Sequence, residues 1–303
     1  MEALAKGEGL TVATLGAQDG FEVVERQDLA PRIHLLKIAA PAIARKAQAG
    51  QFIIVRLDEK GERIPLTLAD WDWDVGDVTI VFMEVGASTM MLATVGVGDY
   101  IKDVAGPLGS PTHIENFGTV VCVGGGVGVA PIAPIARAFK QAGNRVISII
   151  GARSRDLLFW EERLAGVSDR LIVTTDDGSY GRKGVVTEPL KELLESESVD
   201  RVIAIGPAIM MKFCAKTTEP FGVKTIVSLN SIMVDGMGMC GSCRVSVGGQ
   251  TKFVCVDGPE FDAHQVDWDL LVARQRTYIQ KERETLKDCR WRVYEKAVVS
   301  GRG

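Results

Sequence analysis

The chain has 303 residues, with 35 basic and 39 acidic side chains and a formal net charge of −4. This near balance offers no strongly basic surface, so nucleic acid is not expected as a partner. The length exceeds what one hydrophobic core usually fills, and two domains with an appendage are expected. No segment approaches the ~18 apolar residues of a membrane span, and the N-terminus lacks a signal-peptide pattern, so a cytoplasmic protein is predicted.

The first predicted elements are short β-like runs, which follow an N-terminal extension at 1–20 that shows no clear periodicity. The runs between 21 and 114 are separated by Gly, Pro and Asp turns and include IHLLKI, QFIIVRL and DVTIVFMEV. Such a series is typical of a small antiparallel β-barrel.

Strand-like and helix-like segments alternate between 115 and 230, beginning with TVVCVG, PIAPIARAFKQAG and RVISIIGA. This alternation predicts a parallel sheet covered by helices. A cysteine-containing subdomain is expected at 231–265, and a charged helix occupies much of the tail at 266–303, either as a docking surface or packed on its own domain. The predicted fold class is therefore a β-barrel domain, a parallel α/β domain and a small C-terminal subdomain.

The cysteine segment carries the most specific motif, because three of the six cysteines lie between 240 and 255. Without a signal peptide, such clustering favours metal ligation over disulfides. Asp235, Cys240, Cys243 and Cys255 follow the spacing D-x4-C-x2-C-x11-C. This is plant-type ferredoxin spacing with aspartate at the first position, where a glycine-rich loop wraps the cluster and directs N–H groups at its sulfurs. A [2Fe-2S] cluster is therefore predicted on these four residues.

Zinc is the alternative for this segment, with three thiolate ligands and Asp235 as an ordinary loop residue. Zinc ribbons prefer two C-x2-C knuckles, and this chain has one. The soft ligand set and the spacing favour iron and sulfur.

A glycine cluster at the end of a predicted strand indicates a nucleotide site, since backbone N–H groups and a helix dipole there favour a pyrophosphate. The glycines are Gly124, Gly125, Gly126 and Gly128, before a helix expected to start near Pro131. Val129 stands where the dinucleotide fingerprint has its last glycine. Packing of a tight turn is the alternative explanation.

Two later strand ends extend the nucleotide prediction. The segment GARSRD at 151–156 places Arg153 and Arg155 where ribose-binding residues would sit, and Gly206 and Pro207 could turn their backbone towards a nicotinamide. Since arginine can bind a 2′-phosphate, NAD and NADP both remain open on charge alone. Solvated surface arginines are the alternative.

The barrel contains two candidate flavin segments. The guanidinium group of Arg63 could bind a pyrophosphate through two parallel hydrogen bonds, and the hydroxyl of Thr67 could reach a flavin ring. Gly86, Ser88 and Thr89 offer hydroxyl and N–H groups to a second phosphate. A surface arginine, a strand threonine and a simple helix N-cap are the alternatives.

The order of these motifs, RIPLT, GGGVG, IGP and the cysteine loop, resembles the ferredoxin-NADP reductase superfamily, in its branch with a C-terminal [2Fe-2S] subdomain. Within it, ERIPLTLAD, AIGPAIMMK and FVCVDGPEFDAHQVDWD resemble the small subunit of electron-bifurcating NADH-dependent ferredoxin:NADP oxidoreductase. The superfamily's commoner flavin motif has arginine three residues before Ser or Thr, whereas Arg63 stands four before Thr67.

The resemblance implies an NAD(P)H-dependent flavin oxidoreductase subunit without acid-base catalytic residues, with FAD, NAD(H) and one [2Fe-2S] cluster as cofactors. It implies hydride exchange between NAD(H) and FAD, and electron transfer through the cluster to a larger FAD and [4Fe-4S] subunit of a heterodimer, and so to ferredoxin. FAD contacts would be made by Arg63, Pro65, Leu66, Thr67, Ser88 and Thr89.

Two other functions compete with this one. The electron-transfer subunit of dihydroorotate dehydrogenase shares the motif order but typically supplies four cysteines to the cluster, whereas this chain has Asp235 at the first position. A redox relay module without turnover of its own is the third hypothesis. The isolated histidines His34, His113 and His264 are predicted to be structural or surface groups rather than catalytic residues.

Overall fold

The computed structural model describes residues 20–287, and its strands there form two seven-stranded sheets and one two-stranded hairpin. The predicted N-terminal extension, apart from residue 20, and the tail after 287 lie outside the described residues.

The first sheet is a nearly closed antiparallel barrel, as predicted, with strand order β6-β1-β2-β5-β4-β3-β7. Its strands are β1 (Phe21–Ala30), β2 (Ile33–Ala39), β3 (Phe52–Arg56), β4 (Ile64–Asp72), β5 (Asp77–Met83), β6 (Tyr100–Ile101) and β7 (Asp103–Leu108). Two short helices connect them, α1 (Pro41–Ala44) and α2 (Ala87–Leu92).

Both faces of the central strand β2 are buried, which explains its continuous apolar run. Leu36 and Ile38 point into the barrel core. Ile33 and Leu35 belong instead to a second core that includes the helix Val129–Gln141 of the following domain. The barrel and that domain therefore share a packed apolar interface.

The second sheet is parallel except for its last strand, with order β11-β10-β9-β8-β12-β13-β16. Its strands are β8 (Thr119–Gly125), β9 (Arg145–Ala152), β10 (Arg170–Thr175), β11 (Arg182–Lys183), β12 (Arg201–Ile205), β13 (Lys224–Ser228) and β16 (Glu260–Asp262). The chain runs from β8 outward to β11 and then returns to β12 on the other side of β8. The carboxyl ends of β8 and β12 therefore form the topological switch point, where open α/β sheets bind ligands.

Helices cover this sheet: α3 (Val129–Gln141), α4 (Glu161–Ala165), α5 (Thr187–Ser196) and α6 (Ala208–Thr218). Helix α3 begins two residues before the expected Pro131, which lies in the first turn, where a missing N–H group costs little. No helix among residues 20–287 has the length and apolar character needed to traverse a bilayer.

The cysteine segment forms a hairpin of β14 (Arg244–Val247) and β15 (Gln250–Phe253), followed by α7 (Val254–Asp257). Strand β16 then joins the parallel sheet as an antiparallel edge beside β13. Helix α8 (Trp268–Gln275) starts at Asp267, whose side chain accepts a hydrogen bond from the Leu270 N–H at 2.9 Å. Residues 279–287 are also helical after a turn.

An ion-pair cluster joins the barrel to the parallel-sheet domain. Arg137 of α3 donates to Asp70 of β4 at 2.8 Å, and Arg163 of α4 donates to the other carboxylate oxygen. Burial opposes the charged form of Asp70, but the hydrogen bond from Arg137 and the two positive charges outweigh it and hold the pKa of Asp70 below its ordinary value. This cluster helps to fix the orientation of the two domains.

A buried acid, Glu260, sits where all three parts of the chain meet. Its carboxylate accepts a hydrogen bond from Thr112 at 2.6 Å, and Gly50 lies against both side chains. Burial raises the pKa of Glu260 to about 7, from an ordinary 4.5, although Thr112 and the charge of Arg201 act in the opposite direction.

Replacing this acid with an amide, Glu260→Gln, is expected to stabilise the protein at about pH 8 but not at about pH 4. As the pH rises from 4.5 to about 7, the unfolded chain releases a proton that the folded chain retains, so the wild-type free energy of unfolding falls. Because glutamine does not ionise, the variant avoids this loss. Its free energy of unfolding relative to the wild type should therefore be about 1 to 3 kcal/mol higher at pH 8 than at pH 4. Urea unfolding of both proteins at pH 4 and pH 8 measures this difference. If the variant and the wild type differ in stability by the same amount at the two pH values, the raised pKa of Glu260 is contradicted.

Candidate functional site

The carboxyl ends of β8 and β12 approach each other very closely at the switch point. Gly124 pairs with Ile205 in the sheet, and a Cβ atom on Gly128 would lie 2.2 Å from the Ile205 carbonyl oxygen. Such an atom on Gly206 would lie 3.1 Å from the Gly125 oxygen. Glycine is therefore required here so that the two strand ends can meet.

Packing explains most of these glycines, but not all. A Cβ on Gly125 would meet the Met210 sulfur at 2.2 Å, and one on Gly124 would meet Val129 at 3.0 Å. Gly126 differs, because it has φ +54° and open space on the side where a side chain would project. A single turn of 3-10 helix over Gly126–Gly128 leads directly into α3, so free N–H groups at a helix start face this space.

The other nucleotide candidates lie along the same sheet edge. Arg153 follows the end of β9 and is exposed. Arg155 places its guanidinium 5.2 Å from the centre of the Tyr180 ring, so part of its binding capacity is already engaged. Pro207 is the residue before α6 and Gly206 precedes it, which puts their backbone beside the glycine turn of β8.

The flavin candidates on β4 lie at the barrel surface beside β3. Arg63 is exposed just before the strand, and Pro65, Leu66 and Thr67 are half-buried. Their strand partners are Ile54, Ile53 and Phe52 respectively.

The second flavin segment contacts the first through a residue that the motif analysis missed. The Ser88 hydroxyl donates to the carboxylate of Glu62, which directly precedes Arg63. The Thr89 hydroxyl accepts hydrogen bonds from the Val85 and Gly86 N–H groups, at 2.9 and 3.1 Å. Thr89 thus caps α2, and a Cβ on Gly86 would meet nothing within 4 Å. The position of Glu62 beside Arg63 was the only available signal for its role.

The four candidate cluster ligands form two pairs. The sulfurs of Cys243 and Cys255 are 3.2 Å apart. Asp235 accepts hydrogen bonds from the N–H groups of Met237 at 3.0 Å and Cys240 at 2.8 Å, which places it beside Cys240.

This paired arrangement is consistent with a two-iron cluster, in which each iron takes two protein ligands. A mononuclear zinc site instead needs its ligands gathered around one point. The residues present therefore fit a dinuclear group better than a single metal ion.

The electrostatics of the pairs differ. Hydrogen bonds from the Ser242 side chain and backbone lower the pKa of Cys240, which favours the thiolate that binds metal. Hydrogen bonds, first of all from the Met237 N–H, lower the pKa of Asp235. Burial, followed by the neighbouring Cys243, raises the pKa of Cys255 to about 12. Positive charge from bound iron would favour the thiolate form of Cys255.

The cluster loop rests against the barrel. Gly236 has φ +74°, and a Cβ on it would lie 2.8 Å from the Ile54 side chain and 2.9 Å from Leu108. Ile54 is the strand partner of Pro65 in the flavin candidate segment. Because directly opposed residues of an antiparallel pair point to the same face of the sheet, the loop lies on the face of this strand pair that also carries Pro65 and Thr67.

The three histidines make structural contacts. His34 bonds Asp28 at 2.6 Å and Glu84 at 2.7 Å, and His264 lies 2.9 Å from the Thr218 hydroxyl. The exposed His113 bonds Glu115 at 2.7 Å.

Comparison with known proteins identifies two domains directly. Residues 122–216 match the oxidoreductase NAD-binding domain. Residues 230–267 match the iron-sulfur cluster binding domain of dihydroorotate dehydrogenase B. The predictions of an NAD-binding domain and an iron-sulfur subdomain are confirmed.

Relatives extend the match to most of the chain. A Thermotoga maritima protein described as a dihydroorotate dehydrogenase B (NAD(+)) electron transfer subunit homolog is 49% identical over 262 residues, 86% of this chain and 93% of that protein. The corresponding electron transfer subunit of Streptococcus mutans is 30% identical over 261 residues, 83% of this chain and 99% of its own.

A solved structure gives the same result. A chain from the structure of the NADH-dependent reduced ferredoxin-NADP oxidoreductase, described for flavin-based electron bifurcation, is 46% identical with a TM-score of 0.86. The match covers 90% of this chain and 99% of that one.

These similarities confirm the predicted fold and the predicted class of NAD(P)H-dependent flavin oxidoreductase. FAD, NAD(H) and an iron-sulfur cluster, the predicted cofactors, are the cofactors of this family. The chain belongs to the ferredoxin-NADP reductase superfamily, in the family shared by the small subunit of NADH-dependent ferredoxin:NADP oxidoreductase and the electron-transfer subunits of dihydroorotate dehydrogenase B.

Proposed function

We propose that the chain is the flavin and [2Fe-2S] subunit of an electron-bifurcating NADH-dependent reduced ferredoxin:NADP oxidoreductase. The observation that carries the proposal is the contact of the cluster loop with the flavin-side strands, through Gly236 and Ile54. A flavin and a cluster bound on the same face of this strand pair would be neighbours, as single-electron exchange between them requires.

The chain's own residues bind and orient in this proposal, and when bound the cofactors supply hydride and one-electron chemistry. Gly126 and the start of α3 receive the pyrophosphate of NAD(H), while Gly206 and Pro207 border the nicotinamide side of the crevice. The side chains of Arg63 and Thr67 hold FAD at the barrel surface.

The second flavin segment and the four candidate cluster ligands are the remaining cofactor-binding residues in this proposal. Gly86, Ser88 and Thr89 add contacts to FAD, with the Ser88 hydroxyl held by Glu62. Asp235, Cys240, Cys243 and Cys255 hold the cluster.

The partner in this proposal is a larger subunit that carries FAD and a [4Fe-4S] cluster, forms a heterodimer with this chain and passes electrons to ferredoxin. The surface around the cluster loop supports a protein partner, because apolar side chains there are exposed. Met239 is 83% exposed and Met237 59% exposed, and Val234 and Val256 border them. Apolar surface concentrated around a redox centre is typical of an interaction site.

A dihydroorotate dehydrogenase complex is the second candidate, favoured by the match of residues 230–267 and by the named relatives. Asp235 favours the first candidate, because the dihydroorotate branch typically supplies four cysteines to the cluster, whereas this chain has an aspartate at the first position. Purification of the chain with its natural partner, followed by assays with dihydroorotate and with NADPH plus ferredoxin, separates the two candidates.

Purified anaerobically, the chain is expected to contain about two irons and one FAD, the content of one [2Fe-2S] cluster and one flavin. Addition of NADH is expected to bleach the flavin absorbance. Iron, sulfide, zinc and flavin analysis with visible spectra before and after NADH is the measurement. Zinc in place of iron, or no flavin, would refute the proposal, and bound cofactors that neither NADH nor NADPH reduces would indicate a relay module.

A further inference from the structure

The two residues inside the C-x2-C turn of the cluster loop have their carbonyl oxygens bound by arginine side chains. Arg244 donates to the Gly241 oxygen at 3.0 Å, and Arg274 donates to the Ser242 oxygen at 3.1 Å. Both arginines line one small cleft between the loop and α8. The turn that would carry two cluster ligands is thus held from outside by two guanidinium groups.

Within the described part of the chain, these two charges form no ion pair. Among residues 20–287, no carboxylate oxygen lies within 4.0 Å of Arg244 or Arg274, the distance at which an ion pair is counted. The oxygens that they bind lie in the turn between Cys240 and Cys243, two of the four proposed ligands. Reduction of a cluster on these ligands adds negative charge near this turn, and fixed cations there act on that charge.

The peptide unit between Gly241 and Ser242 connects one of these cations to a ligand. Its carbonyl oxygen accepts from Arg244, and its N–H group, on Ser242, lies in the turn between Cys240 and Cys243, where loops of this type direct N–H groups at ligand sulfurs. A cation at the oxygen end polarises the peptide, which makes its N–H a better hydrogen-bond donor to the sulfur. Hydrogen bonds to cluster sulfurs are among the main factors that set the potential of an iron-sulfur cluster.

Helix α8 holds the second arginine in place. Leu271 is 2% exposed and anchors the helix on the domain, and Arg274 follows one turn later on the same face. Next to it, Gln275 donates to the Asn230 oxygen at the start of the cysteine segment. The helix over 268–275 therefore packs on its own domain, beyond the matched residues 230–267.

We propose that Arg274 and Arg244 are positioning residues that raise the reduction potential of the cluster, by fixing two positive charges at the carbonyl oxygens of the ligand turn. Reduction adds one negative charge to the cluster, so a fixed cation stabilises the reduced form more than the oxidised form. This inference rests on the proposed function, since it requires a cluster on Asp235, Cys240, Cys243 and Cys255.

The test is a redox titration of the full-length, cluster-containing protein, followed by electron paramagnetic resonance of the reduced cluster. In Arg274→Gln a hydrogen-bond donor remains but the charge is lost. The equilibrium constant for one-electron reduction of the cluster is expected to fall about tenfold, which lowers its reduction potential by about 59 mV. Arg274→Lys keeps the charge and is expected to shift much less. Arg244→Gln is expected to shift in the same direction as Arg274→Gln.

The matched control is Arg276→Gln, which removes the same net charge from an exposed position two residues further along the chain. Its potential is expected to equal that of the wild type. Equal potentials for wild type, Arg274→Gln and Arg244→Gln, all with full iron and sulfide content, would overturn the inference alone. A wild-type chain without any cluster would overturn the proposed function as well. If Arg274→Gln loses iron, Arg244→Gln and Arg274→Lys still decide the question.

Discussion

Cys243→Ala is expected to abolish the iron-sulfur cluster while leaving FAD binding and flavin reduction by NADH in place. Cys243 is 2% exposed and lies 3.2 Å from Cys255, so its removal destroys one of the two ligand pairs. Changes to residues that only support metal ligands cost about 10- to 100-fold in metal affinity, and loss of a ligand itself should exceed that. FAD binding and flavin reduction should persist because the barrel and the NAD crevice lie outside the altered loop. Iron and sulfide analysis, together with the visible spectrum, measures the loss of the cluster.

Cys214→Ala is the matched control for this variant. Cys214 is also a buried cysteine, on α6, and burial raises the pKa of its thiol to about 12. The control is expected to keep its full iron content, although it loses some packing. Two irons and two sulfides in purified Cys243→Ala would show that Cys243 is not a ligand.

Gly128→Ala is expected to abolish productive NADH binding and to leave the iron-sulfur cluster intact. The added methyl group would lie 2.2 Å from the Ile205 carbonyl oxygen and 2.9 Å from the Gly206 Cα, both backbone atoms that cannot rotate away. The ends of β8 and β12 must therefore separate, and a displacement of about 1 Å at a reacting site costs about 100-fold in rate. Overpacking should also lower the free energy of unfolding by about 1 to 3 kcal/mol.

Stopped-flow flavin bleaching at increasing NADH concentrations measures the first effect, and urea unfolding measures the second. Gly166→Ala, in the same domain, is the control, because a Cβ there would meet its nearest atom at 3.5 Å, an ordinary contact. Unchanged bleaching kinetics in Gly128→Ala would show that NADH does not use the β8–β12 crevice.

Hydrophobic period and turn residues were sufficient to predict the two main architectures. Short β-like runs separated by Gly, Pro and Asp turns after Phe21 predicted antiparallel strands, and the strand-helix alternation after residue 115 predicted the parallel sheet. Both patterns are local consequences of which side chains face a core. The cysteine spacing was equally informative, because a cluster loop needs its ligands at short, fixed separations.

Only the folded structure reveals the contacts between segments that are far apart in the sequence. Nothing local indicates that Glu62 holds Ser88, that the loop at Gly236 rests on Ile54, or that Arg274 reaches the carbonyl oxygen of Ser242, because these contacts join segments far apart in the chain.

The sequence by itself determined the fold class and predicted the nucleotide-binding edge of the sheet and the candidate cluster ligands, since each depends on a repeat or spacing within one short segment. Only the tertiary structure decided that the first flavin segment and the cluster loop share one face of a strand pair, and which charges stand beside the ligand turn. Those relations depend on packing between distant segments, for which a single sequence carries no periodic signal.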